Sequence, residues 1–188
     1  MIYEDIFQKF DWEDFYPDAC EPITLDTKRP RGKSVLTHCF VDVNHAGENI
    51  TRRSMTGILI LCNRYPIIWH SNRQNGVETS TFGSAFTVMN NSAELIGEVR
   101  YKLRMFGVPI DISNKILYDN EAVYKNASTP KSKLRKKHHS TSHQMIKEAV
   151  ASGAYRMAKE DTEINLSYLF TKVITRPMRE LLLYSFTY

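Results

Sequence analysis

The chain has 188 residues, 42% of them hydrophobic, with a formal charge of +4 at pH 7 and an isoelectric point near 8.9. That length and apolar content suit one packed domain with a flanking extension, and no run approaches the ~20 apolar residues of a membrane span. The mildly basic balance permits a nucleic-acid partner without requiring one. The acidic, aromatic opening MIYEDIFQKFDWEDFYPD lacks the basic start and apolar centre of a secretory signal.

In residues 1–33, Pro17, Pro22, Pro30 and Gly32 interrupt regular structure. This predicts a mostly irregular leader or connector, with room for one helical turn at DWEDFY. The compact domain is expected over 34–174, followed by a helical tail at 175–188. Ser34–Asp42 alternates like a strand, and the polar stretch Asn44–Ser54 reads as a turn. Met55–Cys62, with its ILILC run, is a buried-strand signal, and Pro66–His70 follows after a tight link as a third strand. Trp69 is expected to pack in the core or on the sheet face. The apolar period then changes. Phe82, Phe86, Met89, Ala93, Ile96 and Leu103 recur every three or four residues, which predicts a long helix capped by Ser80 or Thr81 and ended by Gly107 and Pro109. Lys115–Tyr118 reads as a strand, Glu121–Ala127 and Leu134–Ser152 as helices, and Ala154–Ala158 as the fifth strand. Asn165–Ile174 and Arg179–Phe186 read as two more helices. The order βββ-α-β-α-α-β-α predicts a mixed five-stranded α/β sheet, an antiparallel meander then parallel strands, flanked by helices.

The three cysteines, Cys20, Cys39 and Cys62, are far apart and form no CxxC pair. Reduced thiols suit an intracellular protein, cytoplasmic or nuclear rather than secreted.

Two aspartates stand out: Asp42 closes the first strand in VDVNHAG, and Asp119 follows the fourth in ILYDN. Carboxylates gathered from the ends of separate strands suit a metal site. Taken singly, Asp42 is usually a turn or capping residue, and Asp119-Asn120 an ordinary turn. The run Lys131, Lys133, Arg135, Lys136 and Lys137 reads as a solvated face or as a phosphate contact, and Arg52 and Arg53 carry the same two readings. His138 and His143 are expected at the surface.

The strings VDVNHAG, TRRSMTGILI, PIIWHSNRQNGVETSTFGS, RYKLRMFGVPID, YDNEAV, KKHH and AKEDTEINLSYLFTK resemble, in this order, the ribonuclease H domain of copia-type retrotransposon polyproteins. The likeness runs from about Asp11 to the C-terminus. It implies a ribonuclease H-like fold, ancestral fusion to a reverse transcriptase, and hydrolysis of the RNA strand of RNA–DNA hybrids. Two Mg²⁺ (or Mn²⁺) ions roughly 3.5–4 Å apart, held by carboxylates, would carry that chemistry. The resemblance gives Asp42 and Asp119 as the surviving catalytic metal ligands. A third acid of the pattern, in STFGSEF, is here Ala85, and a fourth, in NLADLFTK, is here Tyr168. It also implies nucleic-acid contacts for Lys133, Arg135, Lys136, Lys137 and His138; Arg52 and Arg53 stay evenly divided between phosphate contacts and plain hairpin charges, and without a long apolar run no membrane partner is expected.

Ideal helical spacing puts Ala85 at the edge of its apolar stripe and Tyr168 opposite Leu166, Leu169 and Phe170. Neither position is therefore expected to be one chosen for packing. Glu78, Glu94, Asp161 and Glu163 are not placed to substitute for the missing acids. Two aspartates alone hold a divalent ion weakly if at all, so impaired hydrolysis is expected. A non-catalytic nucleic-acid-binding remnant and a decayed fragment without selected function stand as alternatives. No reverse-transcriptase, integrase or protease string occurs in the 188 residues, so a fragment of an element, a decayed reading frame or a reused domain is expected.

Overall fold

β-branched and aromatic residues build the expected meander, β1 (Thr37–Asn44), β2 (Met55–Cys62) and β3 (Tyr65–Arg73). The computed structural model describes residues 11–110, 113–134 and 139–187. Two more strands, β4 (Asn114–Tyr118) and β5 (Tyr155–Lys159), complete a sheet of order β3-β2-β1-β4-β5. β1 and β2, and β2 and β3, pair antiparallel, whereas β4 runs parallel to both β1 and β5. β2 is buried on both faces along most of its length, which explains its continuous apolar run.

Each face of the sheet carries its own core. On one side α1 (Thr81–Met105), α2 (Glu121–Ser128) and α3 (Ser140–Ala151) cover Cys39, Val41, Ile58, Ile60, Ile116 and Tyr118. On the other, a 3₁₀ segment (Leu166–Phe170) and α4 (Arg176–Thr187) cover Phe40, Leu59, Leu61 and Leu117. Leu182 of α4 is 1% exposed, so the C-terminal helix belongs to this second core. Ser80 caps α1 as expected, its hydroxyl accepting from Gly83 N at 3.1 Å.

Three expectations are corrected. The helix expected over Asn165–Ile174 is 3₁₀ and stops at Phe170. Trp69 is 63% exposed, because β3 is the sheet's margin and the helical cover does not reach it. This margin also carries a register break opposite Ile60/Leu61, beside Pro66. His143 is 5% exposed, lies 6.0 Å from the Phe86 ring, and has its imidazole pKa pushed down by burial.

The stretch 11–33 has no helix or strand, yet it is strapped to the α1–α3 side. Glu21 accepts four bonds from two arginines one turn apart on α1: 2.5 and 2.8 Å from Arg100, 2.5 and 2.6 Å from Arg104. Tyr16 donates to Gln144 on α3, and Arg31 N donates to Gly107 O at 2.8 Å. A cavity of about 750 Å³ lies under this strap, beside Tyr101 and Tyr155. Residues 1–10 of the expected leader lie outside the described residues. Among the described residues, no helix is long and apolar enough to cross a membrane.

Candidate active site

The last paired residues of β1 and β4 are Val41 and Tyr118. Asp42 and Asp119 come next in each chain, where the two parallel strands part. That is the carboxyl-end crevice in which open α/β sheets place ligands. Alternation along β1 sends Val41 to the α1 side and Asp42, like Phe40, to the side of the 3₁₀ segment.

Two residues seat that segment. Asn165 is fully buried; its amide donates to Val41 O at 3.0 Å, and its Oδ1 accepts from Ser167 N and Ser167 Oγ. Gly57, which faces Asp42 across the β1–β2 ladder, supplies the clearance. A Cβ there would lie 2.5 Å from Thr171 Cγ2 and 2.8 Å from Ser167 O, the second being backbone that cannot step aside. Gly57→Ala is therefore expected to lose about 1–3 kcal/mol by urea unfolding, more than an exposed strand glycine would lose.

The segment and the two residues that follow it deliver three side chains to the aspartates. Thr171 Oγ1 donates to Asp42 Oδ2, and Lys172 Nζ stands 3.7 Å from Asp42 Oδ1. Tyr168 donates its phenol to Asp119 Oδ2 at 3.2 Å, and Lys172 Nζ lies 3.6 Å from the centroid of the Tyr168 ring. Asp42 is 1% exposed. Burial raises its carboxyl pKa, the Thr171 bond and Lys172 oppose that rise, and Asp119 adds to it. The Tyr118 hydroxyl lies buried without a hydrogen-bond partner among the described residues. Its pKa is raised well above normal, by burial first and then by the field of both aspartates.

The structure thus brings Asp42, Asp119 and Tyr168 together. Ala85 is fully buried in the core on the α1 side of the sheet, not at a stripe edge. Its neighbour Ser84 bonds His45, just past β1, at 3.0 Å. Tyr168 is also a packing residue, 7% exposed within the second core, because the 3₁₀ turn rotates it inward beside Leu166. Sequence reasoning missed Lys172, Thr171, Asn165 and Gly57. Only Asn165, a capping type directly before an apolar run, carried a readable signal.

Arg52 and Arg53 lie in the β1–β2 loop, at the end of the sheet where Asp42 sits. Glu48 shapes this loop by accepting from Ile50 N and Thr51 N, and Arg52 is left-handed at φ 56°. Lys133 is exposed in the loop after α2, which Lys147 pins through Pro130 O and Ser132 O at 2.8 and 2.6 Å. Arg135, Lys136, Lys137 and His138 lie outside the described residues.

These donors do not suit a pair of divalent ions. Among the described residues, no three His, Cys, Asp or Glu side chains gather. Both Asp42 oxygens and one Asp119 oxygen already face a hydroxyl or an ammonium, whereas Mg²⁺ demands near-octahedral oxygen ligation.

No family model matches the chain. The Pol polyproteins of transposons RE2 and RE1 from Arabidopsis thaliana are each 25% identical to it over 146 residues, 78% of this chain. The chain spans about a tenth of the length of these curated relatives. Among solved structures, LC11-RNase H1 in complex with RNA/DNA hybrid matches with a TM-score of 0.52 at 11% identity, covering 69% of this chain and 88% of that one. The N-terminal RNase H domain of rv2228c from Mycobacterium tuberculosis matches with a TM-score of 0.54 at 7% identity, covering 81% and 96%. At such identities these structures speak to the fold alone. In sequence the chain is similar to copia-type retrotransposon Pol polyproteins, and its fold is that of ribonuclease H.

Proposed function

We propose that this domain engages RNA–DNA hybrid, or a nucleic acid of similar shape, with hydrolysis lost or severely reduced. The observation that carries the reading is the Tyr168 phenol on Asp119, at a position the resemblance gives to a carboxylate. A phenol is neutral near pH 7, and burial raises its pKa further here. It therefore supplies neither the charge nor the ligand oxygen that two-metal hydrolysis asks of this position. By the resemblance Ala85 marks a second lost acid, which leaves Asp42 and Asp119 as the remaining ligand candidates. Binding needs less. The exposed Arg52, the half-buried Arg53 and the exposed Lys133 supply charge for phosphates, and Arg52 sits on a turn fixed by Glu48. The same reading extends to Arg135, Lys136, Lys137 and His138, and to a longer polyprotein that includes a reverse transcriptase.

The test uses labelled hybrid with Mg²⁺ or Mn²⁺. Retarded but uncut hybrid is expected, with an affinity that falls steeply as salt rises. Arg52→Ala and Lys133→Ala should each lower the slope of log K against log salt by about 1. Rapid cleavage that disappears in Asp42→Asn would refute the loss of hydrolysis. Absence of salt-sensitive retention would refute the binding.

A further inference from the structure

We propose that the ε-ammonium of Lys172 is the resident cation of the Asp42–Asp119 pocket, held in cis where the chemistry of the fold calls for a divalent ion. Asp42 is a nearly sealed carboxylate, and a carboxylate in that position needs a positive partner or several hydrogen bonds. It receives one hydroxyl, from Thr171, one backbone N–H, from Val43, and one cation, Lys172 at 3.7 Å. The same ammonium stands 3.6 Å from the centroid of the Tyr168 ring. An aromatic face beside a carboxylate is the chemistry that recognises an ammonium ion, and it is a poor shell for Mg²⁺, which takes oxygen ligands at about 2.1 Å. Tyr168 therefore has two functions in the pocket. Its hydroxyl occupies Asp119 and its ring supports Lys172.

The seat is built rather than incidental. Asn165 ties the 3₁₀ segment to the backbone of Val41, one residue before Asp42, and the missing Cβ of Gly57 lets Thr171 close onto the aspartate. The Lys172 side chain remains 37% exposed, so the ammonium stands at the pocket mouth rather than sealed within it. The inference stands on the geometry of the carboxylates, independently of hybrid binding.

Thermal unfolding and Mn²⁺ titration followed by electron paramagnetic resonance test the proposal, on the wild type, Lys172→Met, Asp42→Asn and the double variant. Lys172→Met is expected to lower Tm by roughly 3–6 °C in the wild-type background, but by no more than about 1 °C when Asp42 is already Asn. Wild-type protein should show no saturable uptake of millimolar Mn²⁺. An equal loss of Tm in both backgrounds would overturn the proposal. So would saturable Mn²⁺ binding by the wild type that Asp42→Asn abolishes. If Lys172→Met does not fold, Lys172→Arg, which keeps the charge, must stay near the wild-type Tm, and the wild-type Mn²⁺ titration decides.

Discussion

Glu21→Gln is expected to cost about 3–5 kcal/mol of folding stability, the scale for removing one partner of a buried ion pair. The Glu21, Arg100 and Arg104 side chains are 20%, 7% and 16% exposed, so the two guanidiniums that lose this carboxylate lie largely out of water. In a chain of this size that loss lowers Tm by roughly 6–20 °C. The effect has a defined pH dependence. Burial alone would raise the Glu21 pKa, but the bonds and charges of Arg100 and Arg104 overcome it, and the net value lies below the ordinary 4.5. A depressed carboxylate stabilises the fold above its unfolded pKa and loses that contribution as pH falls through the folded one. The gap between wild type and Glu21→Gln should thus be full at pH 7 and narrow steadily below about pH 4.5. Urea titrations at several pH values measure it. A gap below about 0.5 kcal/mol at neutral pH would mean the strap is ornamental. A chain started at Ser34, where regular structure begins in the sequence, is expected to fail in the same way, since it lacks Glu21 altogether.

The second large effect comes from restoring the missing acids. Ala85→Glu with Tyr168→Asp is expected to destabilise the metal-free protein strongly, by an amount comparable to the ~5–15 kcal/mol that holds a typical domain together. Ala85 is fully enclosed, so a glutamate there must displace core atoms or bury a charge without a partner. Tyr168→Asp empties an aromatic volume from the second core, removes the ring beneath Lys172, and sets a new carboxylate near Asp119. Each change alone costs about 2–5 kcal/mol. Circular dichroism melts in EDTA and in millimolar Mg²⁺ separate the two contributions, because ions bind only the folded site and whatever they return measures regained affinity. A double variant as stable as wild type without metal would show that both positions still have room for acids.

The sheet was legible because its signals are local. Met55–Cys62 is apolar on both faces, and Ser80 precedes a clear change from a period of two to a period near 3.6. The two aspartates were legible because each ends an apolar run. The remainder depends on contacts distant in sequence. Glu21 meets Arg100 across 79 positions, and Thr171 meets Asp42 across 129. No spacing rule reaches that far. Periodicity also describes a face without saying what covers it. Trp69 looked enclosed and is bare because β3 lies at the margin, and Ala85 looked peripheral and is enclosed because α1 packs closely onto β1 and β2. Ideal α-helical spacing puts Tyr168 on the outer side, and the 3₁₀ turn, which advances each residue by more than an α-helix does, brings it inward.

The bare margin of the sheet has a consequence for how copies of this chain meet. A flat outermost strand bearing an indole invites a second molecule to extend the ladder. Here Pro66 withholds one amide hydrogen from that border, and the break opposite Ile60/Leu61 bends the ribbon away from the flatness that stacking demands. Crowding should therefore leave these molecules separate, with the indole wetted rather than zipped against a neighbour.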